Sequence, residues 1–127
     1  MKHDEVMALT DEGLWQEAIR ILNDGGTSEV HHADDGRAYV TIDGEKEWME
    51  DSDFPNDIAA AWGLVGSNPD WRWAIYELDD GGWVATPMAV TGVRDVHRLW
   101  GHVGEATADI APRAITRAFI LAHLAEE

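Results

Sequence analysis

The fold is decided by residues 71–90, which read WRWAIYELDDGGWVATPMAV. Aromatic and aliphatic side chains dominate both halves of this stretch, and such side chains favour extended strands. The Asp-Asp-Gly-Gly sequence at 79–82 lies between the halves and is typical of a turn. The pattern therefore predicts two antiparallel strands, 71–78 and 83–90, joined by a tight connection.

Further strands are predicted on both sides of this hairpin. After it, apolar residues within 96–106 predict another strand, which closes a meander. Before it, residues 29–33 and 37–42 flank a turn sequence at 34–36 and predict a second hairpin. Residues 45–50 are predicted to return as a third, mostly polar strand.

Three helices are predicted around these strands. The first runs from Thr10 to Asn23, with Thr10 as its N-cap and Gly25 at its C′ position. The second follows an N-cap at Asn56, and the third follows an N-cap at Asp109. Apolar residues recur at helical spacing and predict the buried faces: Leu14, Trp15, Ala18, Ile19 and Leu22 in the first helix, Ile58, Ala61, Trp62 and Val65 in the second, and Ala111, Ala114, Ile115, Ala118, Phe119 and Ala122 in the third.

The order of these elements is helix, hairpin, helix, meander, helix. Antiparallel strands grouped between helices predict an α+β fold. In this fold an antiparallel sheet, made of the hairpin and the meander, is layered with about three helices as an α/β/α sandwich. A length of 127 residues fits one domain, and no linker or repeat divides the chain, so residues 1–127 are predicted to form a single domain.

Two segments of the chain resemble the phage ABA-sandwich domain family. Residues 55–62, PNDIAAAW, resemble the family's helix-opening motif, and residues 106–115, ATADIAPRAI, resemble its C-terminal strand and alanine-rich helix. The resemblance covers residues 55–124, with Asp109 where the family has threonine. It implies a phage or prophage origin and an α/β/α sandwich. The function of the family is uncharacterised, so the resemblance implies no activity.

The composition excludes several classes of function. The chain has no cysteine, so it has no disulfide framework, no thiolate zinc site and no cysteine nucleophile. It carries 25 acidic and 9 basic residues, a net charge of −16, which repels nucleic acids and anionic lipids. No apolar run has the length of a membrane span, and the N-terminus does not resemble a signal peptide. We therefore expect a cytoplasmic protein, in the host cell if a phage encodes it, that binds neither nucleic acid nor membrane.

The acidic residues are concentrated in the first half of the chain. Residues 1–64 hold 16 acidic and 4 basic residues, whereas residues 65–127 hold 9 and 5. Adaptation to high salt would spread acids over the whole surface, and a merely solvated face is the simplest alternative. A binding surface is the functional alternative, and its candidate residues lie between 43 and 57: Asp43, Glu45, Glu47, Glu50, Asp51, Asp53 and Asp57.

The sequence contains no recognisable catalytic or metal-binding pattern. Its three serines lie outside any G-x-S-x-G turn, and it has no P-loop or dinucleotide-binding glycine pattern. His31 and His32 are adjacent on a predicted strand and so point to opposite faces, which prevents both from binding one ion. Asp51, Asp53 and Asp57 lack the glycine and the closing glutamate of a calcium loop. We therefore expect no enzyme activity, no metal and no cofactor.

Three hypotheses about function remain. The first is a non-enzymatic phage or prophage accessory protein that binds a protein with a basic surface through the acidic residues 43–57, as an inhibitor or as a mimic of nucleic acid. The second is a small-molecule or sugar-binding domain that uses an exposed platform of Trp71, Trp73 and Trp83, although the simpler interpretation places these side chains in the core. The third is a structural protein of the virion or a small homo-oligomer, which a large exposed apolar patch would favour.

Overall fold

The computed structural model describes residues 2–124. In chain order its elements are helices α1 (His3–Met7) and α2 (Asp11–Leu22), strands β1 (His31–His32), β2 (Ala38–Ile42) and β3 (Glu45–Trp48), a 3₁₀ turn (Met49–Asp51), helix α3 (Ile58–Val65), strands β4 (Arg72–Glu77), β5 (Trp83–Arg94), β6 (His97–His102) and β7 (Ala106–Ala108), and helix α4 (Ala111–Leu124). Both predicted groups of antiparallel strands are present, and the α+β class is confirmed. Within residues 2–124, no helix combines the length and apolar character needed to cross a bilayer.

The hairpin and the meander are predicted to share one sheet, but the strands are divided between two antiparallel sheets. One sheet has the order β1-β2-β3, and the other has the order β4-β5-β6 with β7 also paired to β5. Strand β4 pairs with β5 only as far as Met88, whereas β5 continues to Arg94 and there pairs with β6 alone. Residues 89–101 therefore extend from the second sheet as a two-stranded arm, named here the β5–β6 arm.

Helix α4 is the centre of the core. It packs against α1, α2 and α3 and against the strands β4, β5 and β7. The predicted apolar face is confirmed at Ala114, Ile115, Ala118, Phe119 and Ala122, which are all buried. The opposite side is buried as well, at Thr116, Ile120 and Leu121, because helices and sheet surround α4 on several sides. Burial on this scale makes α4 the main hydrophobic contribution to folding.

The predicted first helix is confirmed as α2, except at its C-terminal cap and at Leu22, which is predicted to be buried but is 42% exposed in the last turn. The Thr10 side chain accepts a hydrogen bond from the Gly13 N–H at 3.1 Å, so Thr10 is the N-cap as predicted. The prediction that Gly25 occupies C′ is wrong by one residue. Asp24, with φ of 52°, occupies that position, and the N–H of Gly25 reaches back to the Arg20 carbonyl at 2.7 Å, as in a Schellman motif.

The predicted N-cap of α3 is also wrong by one residue. Asp57 is the N-cap, and its carboxylate accepts a hydrogen bond from the Ala59 N–H at 2.9 Å. The predicted cap, Asn56, instead donates its side-chain amide to the carboxylate of Asp53 at 3.1 Å. Both residues are good capping residues, and the chain uses the one whose carboxylate also suits the positive end of the helix dipole.

The predicted buried face of α3 is wrong at Ile58 and Trp62, which are 51% and 58% exposed. Ala61 is buried as predicted, and Leu64, which lies outside the predicted face, also enters the core. All eight residues of α3 are apolar or glycine, so its periodicity fits two different faces. Packing against α4 selects the face with the small Ala61, because a small side chain lets two helices approach closely.

Asp109 does not cap α4 directly. The helix begins two residues later, at Ala111, and Pro112 lies in its first turn as predicted. The Asp109 carboxylate accepts a hydrogen bond from the guanidinium of Arg113, which lowers the pKa of Asp109. Asp109 therefore stabilises the start of α4 through its contact with the Arg113 side chain in the first turn.

Candidate functional site

The seven predicted acidic residues lie along one continuous segment that leads from the three-stranded sheet to α3. Asp43 is in the β2–β3 turn, Glu45 and Glu47 are on β3, Glu50 and Asp51 are in the 3₁₀ turn, and Asp53 and Asp57 are in the loop before α3. Five of them are exposed, and Glu47 and Asp53 are half-buried. We name residues 43–57 the acidic segment.

Four of the seven carboxylates are engaged by nearby groups. Glu47 accepts a hydrogen bond from the Ser52 hydroxyl, Glu50 from Arg37, Asp53 from the Asn56 amide and Asp57 from the Ala59 N–H, at 3.2, 2.7, 3.1 and 2.9 Å. The other three, Asp43, Glu45 and Asp51, are exposed and show no side-chain hydrogen bond or ion pair within residues 2–124. These three are named the free carboxylates, since their full charge is available to a partner.

A hydrogen-bond chain anchors the acidic segment to α2. Trp15 is fully buried, and its indole N–H donates to the Ser52 hydroxyl at 3.0 Å. That hydroxyl donates in turn to the Glu47 carboxylate at 3.2 Å. A buried indole N–H requires an acceptor, so this chain fixes the turn after β3 against the core. The acidic segment is therefore held on a defined backbone.

Arg37 places a cation beside the acidic segment. Its guanidinium donates to Glu50 at 2.7 Å and to Asp35 at 2.6 Å, and it lies 4.2 Å from the ring centroid of Trp48. The hydrogen bond to Glu50 is the main cause that raises the pKa of Arg37. The backbone N–H of Arg37, together with its side chain, lowers the pKa of Asp35. The charge of Glu50 is therefore largely compensated within the chain.

The engaged carboxylates reach opposite sides of the three-stranded sheet. Glu47 reaches Ser52 on the side of α2, whereas Glu50 reaches Arg37 on the side where the guanidinium stacks on Trp48. A mimic of a phosphate backbone needs a row of carboxylates on one side of the molecule. Glu47 and Glu50 therefore do not belong to one such row.

An apolar groove lies next to the end of the acidic segment. It has a volume of about 490 Å³ and is formed by α3, the second sheet and the first turn of α4. All its lining residues are apolar: Ile58, Ala59, Trp62, Ile75, Trp83, Ala111 and Pro112. The sequence did not predict this groove, because helical periodicity placed Ile58 and Trp62 in the core.

The acidic segment and the groove share a boundary at the start of α3. Asp57 caps α3 and directly precedes Ile58, which lines the groove. Next to it, Asn56 accepts a hydrogen bond from Arg113 at 3.1 Å, and Arg113 also binds Asp11 at 2.9 and 3.0 Å. The hydrogen bond to Asp11 is the main cause that raises the pKa of Arg113. These contacts tie the starts of α2 and α4 to the loop before α3, so the rim of the groove is preorganised.

The tryptophans predicted as an alternative platform are mostly core residues. Trp71 is 8% exposed, and Trp73 and Trp83 are half-buried against the hydrophobic core. Trp83 lines the groove, but no carboxylate or other polar side chain does. Sugar sites combine an aromatic platform with several polar groups that bind hydroxyls, so the groove fits an apolar side chain better than a sugar.

The two adjacent histidines are separated as predicted. The His31 ring lies 5.5 Å from the ring of Tyr39, whereas His32 contacts the Glu12 carboxylate of α2 at 2.8 Å. In the described part of the chain, no group of three or more histidine, aspartate or glutamate side chains has the arrangement of a metal site.

Comparisons of the chain with protein-family models, with curated proteins and with solved structures find no match.

Proposed function

We propose that this chain is a non-enzymatic protein-binding domain whose docking site is the apolar groove beside α3, with the acidic segment as its electrostatic guide. One observation carries this proposal. Two large apolar side chains, Ile58 and Trp62, are more than half exposed on α3, directly after the acidic segment. Exposed aromatic side chains beside a charged rim are typical of binding sites, in which an apolar centre provides affinity and charges provide selectivity.

The magnitude of apolar burial supports the groove as the source of affinity. Trp62 is 58% exposed. Covering that surface would remove more than 100 Å² of apolar area from water, which contributes about 3 kcal/mol of binding free energy. Each exposed carboxylate contributes less, since solvent and salt screen it. The free carboxylates therefore act mainly on the rate of association.

The chemistry of the site defines the partner. The groove takes an apolar side chain, and the acidic residues favour lysine and arginine around it, so the partner is a basic amphipathic segment of another protein. The proposed role as a phage or prophage accessory protein, acting in the host cytoplasm, rests on the resemblance of residues 55–124 to the phage ABA-sandwich family. Inhibition of a host protein is one outcome of such binding.

Fluorescence anisotropy with three labelled peptides tests this proposal. The first peptide is an amphipathic helix with leucines on one face and lysines on the other, the second replaces the lysines by glutamate, and the third replaces the leucines by serine. We expect binding of the first peptide only, with weaker binding as salt increases. Trp62→Ala should weaken binding roughly 100-fold, the equivalent of about 3 kcal/mol. Neutralising Asp43, Glu45 and Asp51 together should slow association and change dissociation little.

Tyr76→Ala is the matched control for the groove variant. Tyr76 is 48% exposed, and its neighbour Ile75 on β4 lines the groove, so Tyr76 points to the other face of the sheet. The control should bind the lysine peptide like the unmodified protein. Equal binding of the lysine and glutamate peptides, or equal effects of the Trp62 and Tyr76 variants, would refute the proposal.

Assembly of identical chains is a second candidate function. In the β5–β6 arm, Val93 and Val96 are 68% and 89% exposed. Beyond Met88, β5 pairs on one side only with strands in residues 2–124, so its other edge offers N–H and C=O groups to another chain. Sedimentation velocity over a range of concentrations tests this candidate, with Val93→Lys as the variant that should keep the chain monomeric.

A further inference from the structure

A second pocket, separate from the groove, lies between the β4–β5 turn, strand β7 and helix α4. It has a volume of about 460 Å³, and its lining includes Asp80, Gly81, Thr107, Asp109 and Arg117. Small-molecule sites in proteins have volumes from about 300 to 1,000 Å³. Unlike the groove, this pocket contains charged side chains of both signs.

Arg117 is the unusual residue of this pocket. Its Nη1 donates to the carbonyl oxygen of Thr107 at 2.9 Å, while its Nε is buried without a hydrogen-bond partner. Burial is the main cause that lowers the pKa of Arg117, followed by repulsion from Arg113. A buried guanidinium N–H without an acceptor is costly, because guanidinium groups in folded proteins normally bind carboxylates or other acceptors.

Arg20, Arg37 and Arg113 each form an ion pair with at least one carboxylate. Arg117 forms none within residues 2–124, although Asp80 and Asp109 line the same pocket. Among the described residues, Arg72, Arg94 and Arg98 also lack a carboxylate partner, but they are exposed, whereas Arg117 is half-buried. The buried Nε is not accessible to a ligand, but Nη2 forms no hydrogen bond within residues 2–124 and remains a donor for an acceptor from outside the chain.

The two carboxylates of the pocket are only partly engaged. One oxygen of Asp80, Oδ1, accepts a hydrogen bond from the N–H of Gly82 at 2.9 Å, whereas Oδ2 has no partner in the described part of the chain. One oxygen of Asp109 accepts a hydrogen bond from Arg113. A ligand in the pocket would therefore meet a guanidinium donor and at least one available carboxylate oxygen.

We propose that this pocket binds a small zwitterion, such as an amino acid, with the ligand carboxylate on Arg117 and the ligand ammonium group on Asp80. A dianion or polyanion is disfavoured, because Asp80 and Asp109 repel it and the chain carries a net charge of −16. A simple amine would leave the donors of Arg117 without an acceptor. A ligand with both charges satisfies both sides of the pocket.

Two-dimensional NMR of the ¹⁵N-labelled full chain tests this proposal. The probes are glycine, β-alanine and γ-aminobutyrate, which place the two charges at increasing separation, and their single-charge counterparts butyrate and butylamine. We expect at least one zwitterion to shift the amide signals of Gly81, Gly82 and Thr107 in a saturable way at concentrations up to about 10 mM. The two single-charge compounds should bind at least about 10-fold more weakly, since each loses one charge-assisted hydrogen bond.

Three variants complete the test. Arg117→Gln and Asp80→Asn should each weaken binding of the zwitterion at least about 10-fold. Asp80 is exposed, so its variant keeps the test valid if the Arg117 variant does not fold. Arg98→Gln, which changes an exposed arginine of the β5–β6 arm, should leave the affinity unchanged. Any one of three results would overturn the proposal. They are binding of butyrate as tight as that of the zwitterion, unchanged zwitterion affinity in Asp80→Asn, and the absence of shifts with all three zwitterions.

Discussion

Two glycine-to-alanine substitutions should change the stability of this chain in opposite directions. Gly104 lies between β6 and β7, where the chain passes over α4. A Cβ atom at this position would lie 2.9 Å from the backbone nitrogen of Ala122 and 3.0 Å from the carbonyl oxygen of Ala118. Both contacts are with backbone atoms of a buried helix, which cannot rotate away. In Gly63, inside α3, a Cβ atom would meet nothing within 4 Å.

The expected magnitudes follow from these distances. Overpacking against a rigid backbone costs about 1–3 kcal/mol, and the lower entropy of the unfolded alanine variant offsets roughly 0.5 kcal/mol of it. Gly104→Ala should therefore lower the free energy of unfolding by about 2 kcal/mol. Gly63→Ala should raise it by about 0.5–1 kcal/mol, because alanine is the better helix former at an open position. The two variants should differ by about 3 kcal/mol.

Urea unfolding followed by tryptophan fluorescence measures this difference. With a dependence on urea of about 2 kcal/mol per M, the midpoints of the two variants should lie roughly 1.5 M apart, with equal slopes. Equal slopes are required, since only then does the midpoint report stability alone. A Gly104→Ala variant as stable as the original chain would refute the close approach of this loop to α4. A destabilised Gly63→Ala variant would refute the exposed position assigned to Gly63.

Three further predictions concern charged side chains. Arg113→Gln should lower the free energy of unfolding, measured in urea, by about 2 kcal/mol, since it breaks charge-assisted hydrogen bonds that connect three parts of the chain. An effect no larger than that of Asp51→Asn would contradict the role of Arg113. Asp57→Ala should cost about 1 kcal/mol through loss of the N-cap of α3, again compared with Asp51, which has no such role. The folded chain holds the pKa of Asp35 and Asp109 below their ordinary value of 3.8, so both stabilise the fold above that pH, and this contribution is lost as the pH falls through their lowered pKa values. Thermal unfolding between neutral and acidic pH should therefore show a loss of stability that is smaller in a variant with asparagine at both positions, and equal losses would contradict the assigned pKa directions.

The parts of the fold that the sequence predicts are those with one unambiguous pattern. The strands around 79–82 have a clear turn sequence between two apolar runs, and α4 has an apolar face sustained over 14 residues. The apolar pattern after Thr10 predicts one helix only, and Thr10 is the N-cap of that helix. In each case local preference and tertiary packing favour the same structure, which is why a prediction from one level succeeds.

The candidate sites escape prediction because they combine distant parts of the chain. The groove depends on whether Trp62 or Leu64 of α3 faces α4, and the short apolar helix permits both arrangements. Arg113 binds Asp11, which is 102 residues away, and no local pattern signals such a pair. The pocket of Arg117 likewise combines a β-turn with a helix that begins about 30 residues later. Tertiary contacts of this kind are decided by the packing of the whole domain.

Four carboxylates of the acidic segment form hydrogen bonds within the fold and three do not, and this difference determines how the binding hypothesis has to be tested. Neutralising all seven carboxylates would remove the cap of α3 at Asp57, the partner of Arg37 at Glu50 and the acceptor of Ser52 at Glu47. Such a protein would lose stability together with charge, so a loss of binding would not separate recognition from folding. The free carboxylates form no hydrogen bond or ion pair within residues 2–124, and Asn also suits the left-handed backbone of Asp43, so replacing them by asparagine and glutamine changes charge alone. A partner whose association slows when only the free carboxylates are neutralised therefore recognises their charge.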